Sequence, residues 1–257
     1  MPTRAAYTAG TPNWIELHTA DLLAAKAFYG SLFGWSFVDE AEEADQLATA
    51  MRDDGVVAGI VVAPSLDVAG GGAARWHTYL AVDDLEVAVA AAVTAGATVL
   101  LRPKVVRDVA RIAFITDPTG ASVGLWQARS HIGATLVNEP GTVIWNELMT
   151  DDLDAATQFY QDVVGLVPEV ADMGHGPYTT LKSCGEPVGG ASLLSGGMES
   201  HWHVYFAVEN AEAAAAAAVA LGGEVLAGPF DTAIGPMAAL RDPFGAAFSV
   251  YELTPAG

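Results

Sequence analysis

The stretch NWIELHTADLLAAKAFYGSLFGW at 13–35 carries the main evidence for the architecture, because the chain contains it twice. It returns at 144–166 as IWNELMTDDLDAATQFYQDVVGL, with Trp, Glu, Asp, Leu, Phe and Tyr at matching places. Downstream, WHTYLAVDD from Trp76 matches WHVYFAVEN from Trp202, and the later DPTG matches DPFG. A repeat that keeps its order over such a distance indicates two copies of one folded unit. Equivalent positions of the two copies can therefore be compared directly.

Composition limits the possible partners. The chain has 257 residues, which predicts about two domains, each long enough to bury its own core. Its 31 acidic and 11 basic residues give a net charge of −20, which repels nucleic acid and anionic membranes. We therefore expect a small-molecule ligand or substrate as partner, and a monomer or homodimer. One cysteine, no signal-peptide pattern and no apolar run of membrane length predict a cytoplasmic protein.

A shorter repeat lies inside each copy. After a first strand, Asp21 is placed to cap a helix that ends at Gly34, and the same order recurs with Asp84 and Gly96. Each helix is followed by apolar segments separated by Gly or Pro turns, including a hairpin at DPTG. The predicted module is one strand, one helix and then three strands.

Four such modules cover most of the chain, at about 11–63, 75–127, 141–194 and 201–253. They predict an α+β fold with a first domain at 10–128, a linker at 129–140 and a second domain at 141–254. The linker RSHIGATLVNEP is polar and contains glycine and proline, as connecting segments do.

Together these features resemble the vicinal oxygen chelate superfamily of glyoxalases, bleomycin-resistance proteins and extradiol dioxygenases. The similarity rests on the paired modules, the DL…A…FY…LFGW helix, the WH.YFAV strand and the DP.G hairpin, and it covers nearly the whole chain. Within that superfamily the chain is similar to tandem-domain glyoxalase-like proteins of actinobacteria. The resemblance implies four βαβββ modules paired into two glyoxalase-like domains. Each domain would be a curved mixed sheet that forms a cup, with the helices outside.

Side-chain alternation divides each strand into two faces. Ile15 and Leu17 point to one face, while Trp14, Glu16 and His18 point to the other. The resemblance assigns the second face to the cup. By the same alternation the other predicted cup residues are His77, Tyr79, Ala81, Ser122, Gly124 and Trp126 in the first copy, and Trp145, Glu147, Met149, His203, Tyr205, Ala207, Ala247, Ser249 and Tyr251 in the second.

The resemblance also implies where a metal would bind. Metal-dependent relatives place ligands on the first strand of each module, which here carries Trp14, His77, Trp145 and His203. Their other ligands, usually glutamates, lie on the last strand, near Gly59, Gly124, Gly190 and Ser249 in this chain. Each cup keeps one histidine, so we expect no standard metal site and no cofactor. A non-standard divalent site from Glu16, His18 and His77 is the alternative, with zinc or iron(II) as the ion.

Repeated Glu and His residues suggest proton transfer. Glu16 with His77, and Glu147 with His203, recur in both copies and are the candidate catalytic residues. A carboxylate beside an imidazole raises its pKa and fixes its tautomer, which suits a general acid or base. The competing interpretation is that these buried polar groups only satisfy one another.

Aromatic residues suggest a ligand with flat apolar faces. Trp14, Trp126, Trp145 and Tyr251 would wall the cups, and Tyr79 and Tyr205 would donate hydrogen bonds to a ligand carbonyl or phenol. His18 and Ser249 complete the predicted ligand-binding set. By contrast, the alternation along their strands places Trp76 and Trp202 on the opposite face, where we expect them to be core residues. We expect the loop histidines to be exposed to solvent: His131, His175 and His201.

Three functional hypotheses follow. The first is a metal-independent protein that binds an aromatic or natural-product-like molecule, similar to bleomycin-resistance proteins. The second is an enzyme, namely a lyase, isomerase, hydrolase or oxygenase that uses the Glu–His pairs or a non-standard metal. The third is a protein-interaction role. The sequence leaves the choice of ligand and of reaction open.

Overall fold

The computed structural model describes residues 3–39, 46–62, 73–172, 177–194, 197–232 and 235–253. Within these ranges the chain forms two eight-stranded mixed sheets and four helices, so the predicted α+β fold of four βαβββ modules is confirmed. The elements of the first half are β1 (Pro12–Thr19), α1 (Leu22–Phe33), β2 (Ser36–Asp39), β3 (Leu47–Arg52), β4 (Gly55–Val62), β5 (Arg75–Ala81), α2 (Leu85–Thr94), β6 (Thr98–Val106), β7 (Ala110–Thr116) and β8 (Ser122–Ala128).

The second half repeats this order. Its elements are β9 (Val143–Thr150), α3 (Leu153–Val164), β10 (Val167–Asp172), β11 (Pro177–Ser183), β12 (Glu186–Leu193), β13 (His201–Val208), α4 (Ala211–Ala220), β14 (Glu224–Thr232), β15 (Gly235–Arg241) and β16 (Ala247–Glu252).

The first strands of paired modules lie side by side at the centre of each sheet. The strand orders are β2-β3-β4-β1-β5-β8-β7-β6 and β10-β11-β12-β9-β13-β16-β15-β14. The central pairs β1/β5 and β9/β13 are antiparallel, and each central strand has a parallel neighbour from its own module. In this register Glu16 lies opposite His77, and Glu147 lies opposite His203. The first strands of all four modules therefore meet in two central pairs.

The predicted helix caps are present. Asp21 Oδ1 accepts a hydrogen bond from Ala24 N at 2.9 Å, and Asp84 Oδ1 accepts one from Val87 N at 3.0 Å. Helix α1 ends at Gly34, whose φ of 71° is the left-handed conformation that glycine adopts at low cost. These local signals fix where each helix begins and ends, and hence the register of the strands around it.

Each half is long enough to bury its own core, but the two largest apolar clusters draw on residues of both halves. Helix α1 and the inner faces of β1 and β4 share one apolar cluster with α4, β13 and β16 of the other half. Helices α2 and α3 pack together in a second cluster that again draws on both halves. The helices lie outside the cups as predicted, but there they are enclosed between the two halves. The apolar faces of the two repeats therefore cover each other.

Two equivalent hydrogen-bonded triads cross between the halves. Tyr160 OH donates to Asp117 Oδ2 at 3.0 Å and accepts from Trp202 Nε1 at 2.8 Å. Tyr29 OH donates to Asp242 Oδ2 at 2.8 Å and accepts from Trp76 Nε1 at 2.9 Å. Both tyrosines are completely or almost completely buried. Each aspartate belongs to the DP.G turn of the opposite half, so the sequence motifs of the repeat lock the halves together.

In the ranges that the structure describes, no helix is both long enough and apolar enough to cross a membrane.

Candidate functional site

The two cups are the sheet faces opposite the helices. We call first cup the face of β1, β5 and β8 that carries Trp14, Glu16, His77, Tyr79 and Trp126. We call second cup the equivalent face of β9, β13 and β16, which carries Trp145, Glu147, His203, Tyr205 and Ser249. The alternation of side chains along β1 agrees with this assignment, because Ile15 and Leu17 point to the opposite face and lie in the core against the helices.

Aromatic side chains fill the first cup. Trp14, Tyr79, Phe114 and Trp126 form one cluster with exposures of 5%, 1%, 1% and 6%. The ring centroids of Trp14 and Trp126 are 5.9 Å apart, and those of Tyr79 and Phe114 are 5.6 Å apart. These rings pack against one another. The predicted walls of the first cup are therefore core residues in this conformation.

The segment 129–140 completes the burial of the first cup. Trp126 Nε1 donates to the carbonyl of His131 at 3.0 Å, and Asn13 Nδ2 donates to that of Ile132 at 2.9 Å. The His131 ring lies 4.9 Å from that of Trp14. His131 is thus half-buried and packed, and the expectation that it is exposed is wrong. His201 is also half-buried, whereas His175 lies outside the described residues.

Glu16 is fully engaged inside the first cup. Its Oε1 accepts hydrogen bonds from His18 Nε2 and Tyr79 OH, both at 3.0 Å. Burial raises the pKa of Glu16, but hydrogen bonds from His18, Tyr79 and Trp14 and the charge of His18 outweigh it and lower the pKa. The same carboxylate, together with burial, raises the pKa of Tyr79 well above its usual value. Glu16 is therefore an ionised acceptor surrounded by donors.

The second cup holds a related polar group, in which several residues around the glutamate are less buried than in the first cup. Tyr205 OH donates to Glu147 Oε2 at 2.5 Å, and His203 Nε2 and Ser249 Oγ are hydrogen-bonded at 2.9 Å. Trp145, His203 and Tyr205 are each partly exposed, in contrast to their first-cup equivalents Trp14, His77 and Tyr79. Tyr251 is buried, as is its first-cup equivalent Trp126.

The proposed Glu–His pairs are neighbours in the sheet, but each glutamate is hydrogen-bonded to a tyrosine of the opposite strand. The expected rise in the imidazole pKa is wrong for both pairs. Burial, followed by the charges of His18 and Arg75, lowers the pKa of His77 well below its usual value. Burial and the charge of His201 lower the pKa of His203 to about 4. Both imidazoles are therefore neutral near pH 7.

Tyr178 is a second-cup residue that the sequence analysis missed. It lies on β11, and its hydroxyl accepts a hydrogen bond from Trp145 Nε1 at 2.9 Å. Burial and the negative charge of Glu147 raise the pKa of Tyr178. The alternation in PYTTLKS, where Thr179, Leu181 and Ser183 are buried, places Tyr178 on the cup face. The sequence contains this alternation, but only the first and last strands of each module were assigned to the cups, and β11 is neither.

The glycines at the implied metal-ligand positions lie beneath aromatic side chains. A Cβ atom on Gly124 would lie 2.0 Å from Tyr79 Cδ1, and one on Gly190 would lie 1.8 Å from Tyr178 OH. At Gly59 the closest atom, Trp14 Cζ2, would be 3.1 Å away. Rings occupy the space that a glutamate would need at two of these positions. The residues present therefore do not fit the ligand set of the metal-dependent relatives.

Glu16, His18 and His77, the alternative metal-binding set, lie close together, but two of them are hydrogen-bonded to each other. The rings of His18 and His77 are 4.2 Å apart, and His18 Nε2 is directed at Glu16 Oε1. Glu16 Oε1 is shared with Tyr79, so this oxygen already serves two donors. No three His, Cys, Asp or Glu side chains in the described part of the chain are arranged to hold a metal ion.

Two cavities border the amino-terminal segment, the larger one between it and the second half and the smaller one between it and the first half. The larger, about 360 Å³, extends from Tyr7 and Thr8 to the β11–β12 turn with the exposed Cys184, and Trp145 is its only predicted cup residue. The smaller, about 210 Å³, lies beside Tyr7, Val82 and Trp126. The larger volume is within the range of small-molecule sites. It is a separate opening from the Glu147 group and must be distinguished from it experimentally.

Comparison with known proteins gives a family match in both halves. The model of the "Glyoxalase/Bleomycin resistance protein/Dioxygenase superfamily" matches residues 11–125 and 142–250. "Putative glyoxylase CFP32" of Mycobacterium tuberculosis (strain CDC 1551 / Oshkosh) is 47% identical, over 99% of this chain and 99% of its own. "Anthracycline biosynthesis protein DnrV" of Streptomyces peucetius is 35% identical, over 96% and 94% of the two chains.

Solved structures share the fold. The Mn(II)-bound glyoxalase from Novosphingobium aromaticivorans superposes with a TM-score of 0.67 at 17% identity. The match covers 95% of this chain and 82% of the other. At that identity the likeness concerns the arrangement of strands and helices. That neighbour holds manganese, whereas Gly124 and Gly190 here lie under tyrosine side chains.

Proposed function

Because this chain belongs to the glyoxalase/bleomycin resistance protein/dioxygenase superfamily, we propose that its second cup binds a flat aromatic small molecule without a metal. The observation that carries the proposal is the difference between the cups. In the first, the aromatic residues pack against each other and against segment 129–140. In the second, Trp145 and Tyr205 keep part of their surface exposed.

The chemistry of the second cup suits such a ligand. An indole and phenol rings offer large apolar faces, and each aromatic side chain can bury roughly 150–250 Å². A small number of polar groups among apolar walls is typical of small-molecule sites. The name of the Streptomyces relative at 35% identity refers to anthracyclines, which are polycyclic aromatic compounds, and this supports an aromatic ligand here.

Equilibrium dialysis with neutral aromatic probes tests this function. We expect naphthalene, 2-methoxynaphthalene and 2-naphthol to bind at one site per chain, because the aromatic rings of the first cup are buried against one another while Trp145 and Tyr205 keep exposed surface. Trp145→Phe should weaken binding, since it removes apolar area and the Nε1 donor to Tyr178. The matched first-cup variant Trp14→Phe should leave binding unchanged. Two sites per chain, or loss of binding only with Trp14→Phe, would contradict the assignment.

Elemental analysis tests whether the protein binds its ligand without a metal. Protein purified without chelator should contain much less than one equivalent of zinc, iron or manganese by elemental analysis, and chelator should leave probe binding unchanged. Stoichiometric metal that is lost together with binding would refute metal independence.

One observation favours an enzymatic alternative. The short Tyr205–Glu147 hydrogen bond, repeated as Tyr79–Glu16, joins a carboxylate to a phenol at a position suited to proton transfer. Glu147 would act as the base, with His203 as a second, neutral candidate. If a converted substrate is found, Glu147→Gln should abolish turnover and keep substrate binding within a few-fold. Unchanged turnover in Glu147→Gln would remove the catalytic role.

A further inference from the structure

Tyr178 distinguishes the second cup from the first. Thr180 pairs with Gly190 as Thr49 pairs with Gly59, so Tyr178 of β11 is equivalent to Leu47 of β3. The phenol therefore exists in one copy only. It changes the partner of the repeated tryptophan, because Trp145 Nε1 donates to Tyr178 OH whereas Trp14 hydrogen-bonds to Glu16.

This change leaves an acceptor available on Glu147. Glu16 receives hydrogen bonds from three side chains, namely His18, Tyr79 and Trp14. Glu147 has lost two of these donors, because Met149 replaces the histidine and Trp145 turns to Tyr178. Its Oε2 accepts from Tyr205, and its Oε1 has no hydrogen-bond partner among the described residues. Glu147 is only 7% exposed, but its Oε1 keeps contact with solvent, so water or a ligand can supply the missing donor.

The same change leaves a donor available on Tyr178. Its oxygen accepts the Trp145 N–H, and no group among the described residues accepts its proton. Because the indole N–H occupies an acceptor position, the phenol O–H is directed away from it.

The free donor and the free acceptor lie on the same face of the sheet, in the region of Gly190. This glycine pairs with Glu147 in the parallel β12/β9 register, and a Cβ on it would lie 1.8 Å from Tyr178 OH. Tyr205 is hydrogen-bonded to Glu147, and Tyr178 is hydrogen-bonded to Trp145, which precedes Glu147 by two residues on the same face of β9, so all three groups line one site. Glycine at position 190 is thus what permits Tyr178 to lie beside Glu147.

We infer that the second cup is selective for neutral phenols, whose hydroxyl donates to Glu147 Oε1 and accepts from Tyr178 OH while the ring packs against Trp145. One hydroxyl group satisfies both protein groups, whereas a carbonyl would leave Glu147 without a donor. An ionised phenolate or carboxylate would be repelled by Glu147. This inference rests on the proposed aromatic-binding function and specifies its ligand class.

Equilibrium dialysis with matched probes tests the selectivity. Wild-type protein should bind 2-naphthol about tenfold or more tightly than 2-methoxynaphthalene, which has the same rings and oxygen but no proton to donate. Glu147→Gln should reduce that preference to about threefold or less, because the amide is a weaker acceptor than the carboxylate. Tyr178→Phe should weaken 2-naphthol by about three- to tenfold.

Two further variants keep the result interpretable. Gly190→Ala should weaken 2-naphthol at least as much as Tyr178→Phe, because the added methyl group displaces the Tyr178 hydroxyl. Tyr7→Phe removes a phenol that borders the cavities near the amino terminus and should leave binding unchanged. Circular dichroism and urea unfolding of each variant would show that it is folded before dialysis.

The outcomes separate this inference from the proposed function. Equal binding of the two probes, or a Tyr178→Phe variant identical to wild type, overturns the phenol selectivity but leaves aromatic binding intact. A loss that occurs with Tyr7→Phe and not with Tyr178→Phe would move the site to the amino-terminal cavities and overturn it also. No binding of any probe would overturn the proposed function and the selectivity together.

Discussion

Replacing Tyr160 by phenylalanine tests how the two halves are held together. The substitution keeps the buried ring and removes the hydroxyl, which donates to Asp117 at 3.0 Å and accepts from Trp202 at 2.8 Å. The bond to the carboxylate is worth about 1.5–3 kcal/mol, and the orphaned indole N–H costs about 1–3 kcal/mol. Asp117 keeps its bonds from the Thr119 hydroxyl and two backbone N–H groups, which limits the loss. We expect the free energy of unfolding to fall by about 3–4 kcal/mol.

Urea unfolding followed by circular dichroism measures this loss. The midpoint should fall while the slope stays constant, because the folded and unfolded surfaces are nearly unchanged. The chain contains its own replicate: Tyr29→Phe breaks the equivalent triad with Asp242 and Trp76 and should cost the same within about 1 kcal/mol. In Tyr160→Phe/Trp202→Phe the second substitution should cost less than Trp202→Phe costs in the wild type, since it also removes the orphaned N–H and leaves only the loss of buried ring volume. Losses below about 1 kcal/mol for both tyrosines would refute the assigned role of the triads.

Two other predictions concern the cups. Gly124→Ala places a Cβ 2.0 Å from the Tyr79 ring and should destabilise the protein by about 1–3 kcal/mol, more than Gly59→Ala, where the closest contact is 3.1 Å; equal effects in urea unfolding would show that Tyr79 does not depend on this glycine. Burial lowers the pKa of His203 to about 4, below the 6.5 of an unfolded histidine, so its unfolded form binds the proton first as pH falls. The stability that the neutral His203 contributes is therefore fully present above pH 6.5. The free energy of unfolding falls by about 3 kcal/mol between there and pH 4. The difference in unfolding free energy between wild type and His203→Gln should follow that curve, whereas a constant difference would contradict the lowered pKa.

Local patterns predicted the modules because they depend on neighbouring residues. Asp21 and Asp84 cap their helices, Gly34 ends the first one, and the DP.G turns lie between paired strands, all as expected. Alternation along the strands also placed Trp76 on the helix side and Glu16 in the cup. Each of these signals involves only residues close together in the chain.

Contacts between distant segments were not predictable in the same way. The repeat predicted two copies of one folded unit, but the apolar contacts between the halves depend on how the two sheets and their helices pack. Segment 129–140 looked like a linker, and its burial of Trp14 and Trp126 follows from hydrogen bonds at Asn13 and His131. The pKa of His203 was predicted in the wrong direction, because the neighbouring glutamate was weighed and the loss of hydration on burial was not.

A crystal structure of the protein with bound 2-naphthol tests the central claim most directly. We expect one molecule per chain in the second cup, with its ring against Trp145 and its oxygen within hydrogen-bond distance of Tyr178 OH and Glu147 Oε1. We expect no ligand among Trp14, Tyr79 and Trp126. A naphthol bound in the first cup, or in the cavity beside Tyr7 and Cys184 with the second cup empty, would contradict the assignment.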